Sequence, residues 1–238
     1  SCVHLWFLIN ILIYFLLLIP IIGFISNKKR GYKFVDSILK IRGGVLLFSI
    51  PIILEGYLLD LTAYKEDIAY GNSYSEYYGT DHGLLLGFIW FLIGIVLTSQ
   101  GDTFWEYNIK NINTHALIGV PLLINRFVNE FEVANTLIAF ESFNFIFLIL
   151  GIGAKYLNKD SSQLQYYKQA VFPVYIVHMP VQMGIMYLFS DLNIPFLIKF
   201  PLVLFLICFV SLTIYHAVKN FRFLRPLFGL TNKKNNES

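Results

Sequence analysis

Carboxylates inside otherwise apolar runs are the first residues that point to chemistry. Glu141 lies about nine residues into an apolar stretch of 22, Asn144 follows one turn later, and Glu55 sits in another such stretch. A lone carboxylate in hydrocarbon costs on the order of several kcal/mol, so both should face protein or water. Each then serves either as a hydrogen-bonded link between helices or as a station on a substrate or proton path, and both readings stand. His178 occupies Phe172-Pro173-Val174-Tyr175-Ile176-Val177-His178-Met179-Pro180. Tyr175 and Gln182 lie three and four residues from it, which puts three polar groups on one helical face. Neither proline can donate its backbone hydrogen bond, so a kink with freed carbonyls is expected beside the histidine. An imidazole held there serves as acid, base or donor, or it satisfies a bent helix.

Other histidines fall near the ends of apolar runs. His4, Asp81 and His82 are placed at one surface, His115 and His216 near the other. A metal site across the first three has the ligand types without a zinc-binding spacing, and interfacial polarity explains them more simply. No bound metal or permanent cofactor is expected. Nucleotide-binding and hydrolase glycine motifs are absent, and Gly151-Ile152-Gly153 reads as a place where helices approach or end. Between 62 and 81, Tyr64, Tyr70, Tyr74, Tyr77 and Tyr78 offer flat faces with hydroxyls, suited to sugar rings and equally to a membrane-interface belt. Lys28, Lys29 and Arg30 attract anionic headgroups or the phosphates of a co-substrate, although topology alone accounts for them as well.

These groups need a membrane scaffold to position them. Of the 238 residues, 56% are hydrophobic, 17% aromatic and only 14% charged, and mean hydropathy is +0.62. That excludes an ordinary soluble enzyme, a disordered chain and a nucleic-acid binder. The two cysteines, Cys2 and Cys208, form no metal or redox motif. Seven stretches approach the roughly 20 apolar residues that a spanning helix needs: 5–25, 44–61, 82–98, 112–128, 133–154, 170–188 and 192–218. The fourth is the shortest in apolar length because of Asn125 and Arg126, so a tilt, a re-entrant path or an Arg126 side chain reaching to the surface is expected there. The fold expected is all-α, a polytopic transmembrane bundle of about seven helices, with 1–220 embedded and 221–238 as a cytoplasmic tail.

Charge sets the orientation. The connections 26–43 and 155–168, the stretch from Lys219 onward and Lys110 hold 15 of the 18 basic residues. Asp60, Glu66, Asp67, Glu76, Asp81, Glu130, Glu132 and Asp191 lie at the opposite ends of the runs. The bias of basic residues toward the cytoplasm places Ser1 outside and Ser238 inside. An integral protein of a bacterial plasma membrane fits this pattern. The first run is too long and has the wrong flanks for a signal peptide.

Five segments, in order, resemble the acyltransferase-3 family of integral membrane acyltransferases. They are His4-Leu5-Trp6-Phe7-Leu8, Gly101-Asp102-Thr103-Phe104-Trp105, the glycine-to-asparagine run Gly151 to Asn158, the Pro-x-Tyr-x-x-His segment ending at His178, and Leu224-Arg225-Pro226-Leu227-Phe228-Gly229-Leu230. The resemblance spans nearly the whole chain and is closest in flavour to glucan-modifying members. It implies about ten helices and transfer of an acyl group from a cytoplasmic donor, usually acyl-CoA, to a hydroxyl of a sugar or glycan. It also implies an essential histidine in the first helix and arginines in a later one. Neither has a counterpart here, because the chain opens at a mid-domain motif of the family. Upstream helices are therefore expected as partners, along with membrane lipids. His178 carries over as a family-typical residue that shapes the pocket, not as the base. The competing expectations are a non-catalytic membrane protein that binds lipid or glycan, and a transporter.

Overall fold

A computed structural model describes residues 6–26, 30–63, 70–71, 73–77, 79–221 and 223–230. All regular structure among them is helical: α1 (Trp6–Ser26), α2 (Arg30–Lys40), a 3-10 turn (Gly44–Ser49) running into α3 (Ile50–Ala63), α4 (Asp81–Thr98), α5 (Asp102–Lys110), α6 (Ile112–Val128), α7 (Asn135–Ile152) with a π-helical extension (Gly153–Leu157), α8 (Ser162–Ser190), α9 (Phe196–Asn220) and a 3-10 turn (Pro226–Phe228). The stretches Gly44–Thr62, Asp81–Thr98, Asn135–Leu157, Ser162–Ser190 and Ile198–Asn220 are long and apolar enough to cross a membrane. The apolar parts of α1 and α6, Trp6–Ile21 and Ile112–Val128, are shorter. A 17-residue α6 rises about 25 Å, under the roughly 30 Å of a hydrocarbon core.

The chain divides into two compact units, Ser1–Asn158 and Lys159–Ser238. The core of the first lies where α3 packs on α4 and α7 and where α5 meets α7. Ile52, Leu59, Leu86, Leu97, Ala139 and Phe143 are its buried centre. Trp90 stacks on Phe143, and Phe143 lies against Phe147, which carries the aromatic core along α7. The Tyr14 hydroxyl of α1 donates to the Leu84 carbonyl of α4. In the second unit α8 and α9 form a hairpin, and the Pro226–Phe228 turn returns onto α8. Ser161 caps α8 by accepting from the Leu164 N–H. The helix then runs unbroken through Pro173 and Pro180.

Asp60, at the end of α3, caps a helix other than its own. One carboxylate oxygen accepts from the backbone and side-chain nitrogens of Asn135, at 2.9 and 2.8 Å. The other accepts from the backbone and hydroxyl of Thr136. A negative charge on the first turn of α7 suits that helix's free N–H groups. At the other end of α7, a Cβ on Gly151 would fall 2.6 Å from the Asn108 carbonyl of α5. The expected close approach therefore holds at Gly151, while Gly153 meets nothing within 4 Å.

Two short helices are additions to the sequence expectations. α2 buries Val35 and Leu39, and α5 buries Phe104, Tyr107 and Asn108. Their other faces carry Lys33, Phe34, Lys40, Trp105, Glu106 and Lys110. Three residues separate α4 from α5 and one separates α5 from α6. Such short tethers to two apolar helices hold α5 at their ends, and α2, packed against it, shares that level.

Candidate functional site

Polar side chains inside the first unit gather at three levels. At one end, residues 70–71, 73–77 and 79–80 lie over the tops of α3 and α4. Glu55 of α3 and His82 of α4 are 1% and 0% exposed. Glu55 Oε1 lies 2.6 Å from His82 Nδ1 and accepts from the Tyr70 hydroxyl at 2.8 Å. The other ring nitrogen faces the Tyr74 carbonyl at 3.3 Å. Burial, with the Glu55 carboxylate beside it, pushes the Tyr70 phenol well above its ordinary pKa, so it stays a donor. Tyr74 and Tyr77 lean on the same imidazole, with ring centroids at 5.7 and 6.1 Å. Only glycine fits at position 83, because a Cβ there would strike the Tyr77 carbonyl.

His82 is thus not a surface residue, as its place at the start of an apolar run suggested. The loop folds back over it, and its nitrogens are engaged by Glu55 and a carbonyl. That removes it from the conceivable metal set. His4, the third member, lies outside the described residues, as do Tyr64 and Tyr78.

Beside this loop opens a cleft of about 340 Å³ lined by Ser73, Tyr74, Ser75, Tyr77, Arg126, Phe131, Ile138 and Ser142. Arg126, in the last turn of α6, is partly exposed and lines this cleft. Its guanidinium meets Glu141 at 3.0 Å and lies over the Phe131 ring. Glu141, 5% exposed, is the buried carboxylate expected from its cost in lipid. The pair leaves the cleft wall formally neutral, with hydroxyls and aromatic faces.

The middle level holds Asn144 and His115, both wholly buried. His115 Nδ1 lies 3.0 Å from Asn144 Oδ1, linking α6 to α7. His115, expected near one end of its apolar run, is the fourth residue of α6 and is covered by protein there.

At the far end, α2, the residues after it, α5 and the start of α6 line an open cavity of about 530 Å³. Lys40, Arg42 and Lys110 line it together with Thr103, Tyr107, Asn111 and Thr114. Lys40 pairs with Asp36 and Lys110 with Glu106, each one turn back along its helix. Asp36 is held below its ordinary pKa, chiefly by the hydrogen bond from Lys40. Among the described residues Arg42 has no carboxylate partner. Of the suggested phosphate contacts, Lys28 and Lys29 lie outside the described residues, and Arg30 opens α2. The basic character of this connection therefore reaches the cavity through Lys40 and Arg42. Thr103, in the first turn of α5, lines this cavity.

The second unit contains His178, Tyr175 and Gln182. His178 Nδ1 donates to the Tyr175 carbonyl at 2.6 Å, and the two rings lie 5.6 Å apart. Nδ1 must carry the proton, because a carbonyl only accepts, so Nε2 is the acceptor of the neutral ring. Gln182 turns from this pair and contacts the Met186 sulfur at 3.7 Å. The three polar residues share a face, and His178 and Tyr175 interact there. No protein-family model, curated protein or solved structure matches the chain.

Proposed function

We propose that this chain works as an integral membrane acyltransferase, passing an acyl group from an acyl-CoA-type thioester to a hydroxyl of a sugar or glycan. The observation that carries the reading is the cavity at the basic end. It sets Arg42, with no carboxylate partner among the described residues, beside Lys40, Lys110 and the neutral donors of Asn111, Asn113, Thr103 and Thr114. This is a chemistry for phosphates, in which cations supply attraction and amides and hydroxyls supply orientation. The tyrosine- and serine-lined cleft at the other end suits a ring bearing several hydroxyls. On this reading the basic end faces the cytoplasm of a bacterial cell, which supplies the thioester, and the tyrosine end faces outward.

The cations hold the donor, and the buried seam between α6 and α7 separates it from the acceptor side. His178 shapes a pocket with its fixed Nδ1–H. The test is binding of CoA to the protein in lipid nanodiscs. Arg42→Gln combined with Lys110→Gln should weaken binding about tenfold or more at low salt, with less loss at high salt where screening already weakens these contacts. CoA binding indifferent to both substitutions and to salt would overturn the assignment and favour a lipid- or glycan-binding protein without transfer.

A further inference from the structure

The wall of the tyrosine-end cleft is held in an unusual way. Arg126 is fixed by Glu141 and by the Phe131 ring beneath its guanidinium. Phe131 reaches that place through the turn after α6, where Glu130 and Phe131 have φ of 53° and 71°. That is the left-handed region, which favours glycine and is uncommon for an aromatic residue. The Phe131 N–H closes the turn by donating to the Arg126 carbonyl at 2.8 Å. Two consecutive residues in that region persist only where their surroundings hold them, and such places gather at ligand clamps.

Next to the cleft lies a second space of opposite character. A groove of about 340 Å³ separates the first halves of α1 and α4, lined by Trp6, Ile11 and Tyr14 of α1 and by Gly83, Gly87 and Trp90 of α4. Gly87 has no side chain to fill it, and the Tyr14 hydroxyl stands 2.7 Å from where a Cβ would be. From Gly83 to Trp90 the helix rises about 10 Å, so the groove runs from the loop well into a hydrocarbon core of roughly 30 Å. Tyr77 belongs to both spaces, lining the cleft and the groove alike. Its ring lies against Tyr74 at 6.5 Å and His82 at 6.1 Å. A hydroxyl-lined space and an apolar one thus adjoin across a single side chain.

We propose that cleft and groove form one site for a sugar carried on a hydrocarbon chain, with the ring in the cleft, the chain in the groove and Tyr77 between them. This rests on the reading of the cleft as the acceptor side of the acyltransferase, and it makes that acceptor lipid-borne. The occupant follows from what each part can select. A chain gains little by leaving lipid for an apolar groove, because lipid tails are as apolar as its walls. The groove alone therefore has no preference among tails. A chain tied to a bound ring is delivered to the groove at high effective concentration, and the two contacts reinforce each other. Arg126, already paired with Glu141, offers no net charge to a phosphate, which sets a sugar above a phospholipid headgroup.

Trp6 and Trp90 report on the groove directly. The full chain with Trp105→Phe is placed in nanodiscs with a glucan oligosaccharide bearing an alkyl chain brominated along its length. A phosphatidylcholine brominated at the same depth, at equal mole fraction, is the comparison. The glycoside should quench fluorescence several-fold more, and saturating free oligosaccharide should remove the excess. Ser142→Phe, at a residue that lines the cleft and not the groove, should remove it as well. The competition needs no second variant, so it holds if Ser142→Phe fails to fold. Acyl transfer should need several-fold less of the alkyl glycoside than of the free oligosaccharide. Equal quenching by the two lipids, or an excess that the free oligosaccharide leaves unchanged, overturns the proposal. Transfer to the free oligosaccharide would then leave the acyltransferase reading standing. The expected quenching with transfer to neither acceptor brings down that reading and keeps the two-part binding site.

Discussion

Glu55 is a carboxylate at 1% exposure whose oxygen meets an imidazole at 2.6 Å and a phenol at 2.8 Å. Removing one partner of such a buried pair costs more than the pair contributes, because the survivor keeps its desolvation penalty. His82→Ala should therefore lower stability by about 3 kcal/mol, read as a fall in unfolding midpoint in detergent. Adding Glu55→Gln to it should recover part of the loss, since a neutral amide is cheaper to bury than a carboxylate. A double variant no more stable than His82→Ala would contradict this account. The depth of Glu55 and Glu141 was legible, because an isolated carboxylate in an apolar run must find protein. Their partners were not. His82 is 27 residues from Glu55 and comes beneath the loop only once 70–80 folds back. The same holds for His115, which reaches Asn144 only through the packing of α6 on α7. For Arg126 and Glu141 a signal existed: opposite charges on two apolar helices joined by a short connection.

At the scale of elements, each of the seven apolar stretches is helical, with ends shifted by up to four residues except in α8, which begins eight residues before its stretch. Apolar length alone reveals such segments, since a spanning backbone must satisfy itself. What that search could not see are α2 and α5, which are too short and too charged to register as spans. In α2 the signal was present in the four-residue spacing of Val35 and Leu39 beside charged neighbours. With Trp6 and Trp90 replaced by Phe, Trp105 fluorescence should be quenched more by lipids brominated near the headgroup than near the chain end, as an interfacial helix requires. Deeper quenching from the chain ends would place α5 within the hydrocarbon instead. Gly151→Val tests how α5 is seated. The added side chain meets the Asn108 carbonyl, a backbone atom that cannot move aside cheaply, so a loss of about 1–3 kcal/mol is expected in thermal unfolding. A neutral result would mean that α5 is not held against α7 there.

At the largest scale, five helices among the described residues are long and apolar enough to cross a membrane, and on the proposed reading the bias of basic residues toward one set of ends sets their orientation. The cavity with Lys40, Arg42 and Lys110 and the cleft with Tyr74, Tyr77 and Ser142 then lie at opposite ends of the first unit. A protein that binds a thioester at one end and a sugar at the other must show sidedness. The direct measurement is acyl transfer in sealed membrane vesicles carrying the protein, with radiolabelled acyl-CoA supplied on one side and a glucan oligosaccharide on the other. Labelled oligosaccharide should form when acyl-CoA meets the face bearing Lys40 and Arg42, and fail to form when the two are exchanged. Equal labelling in both arrangements, or none in either while CoA binds, would contradict the account.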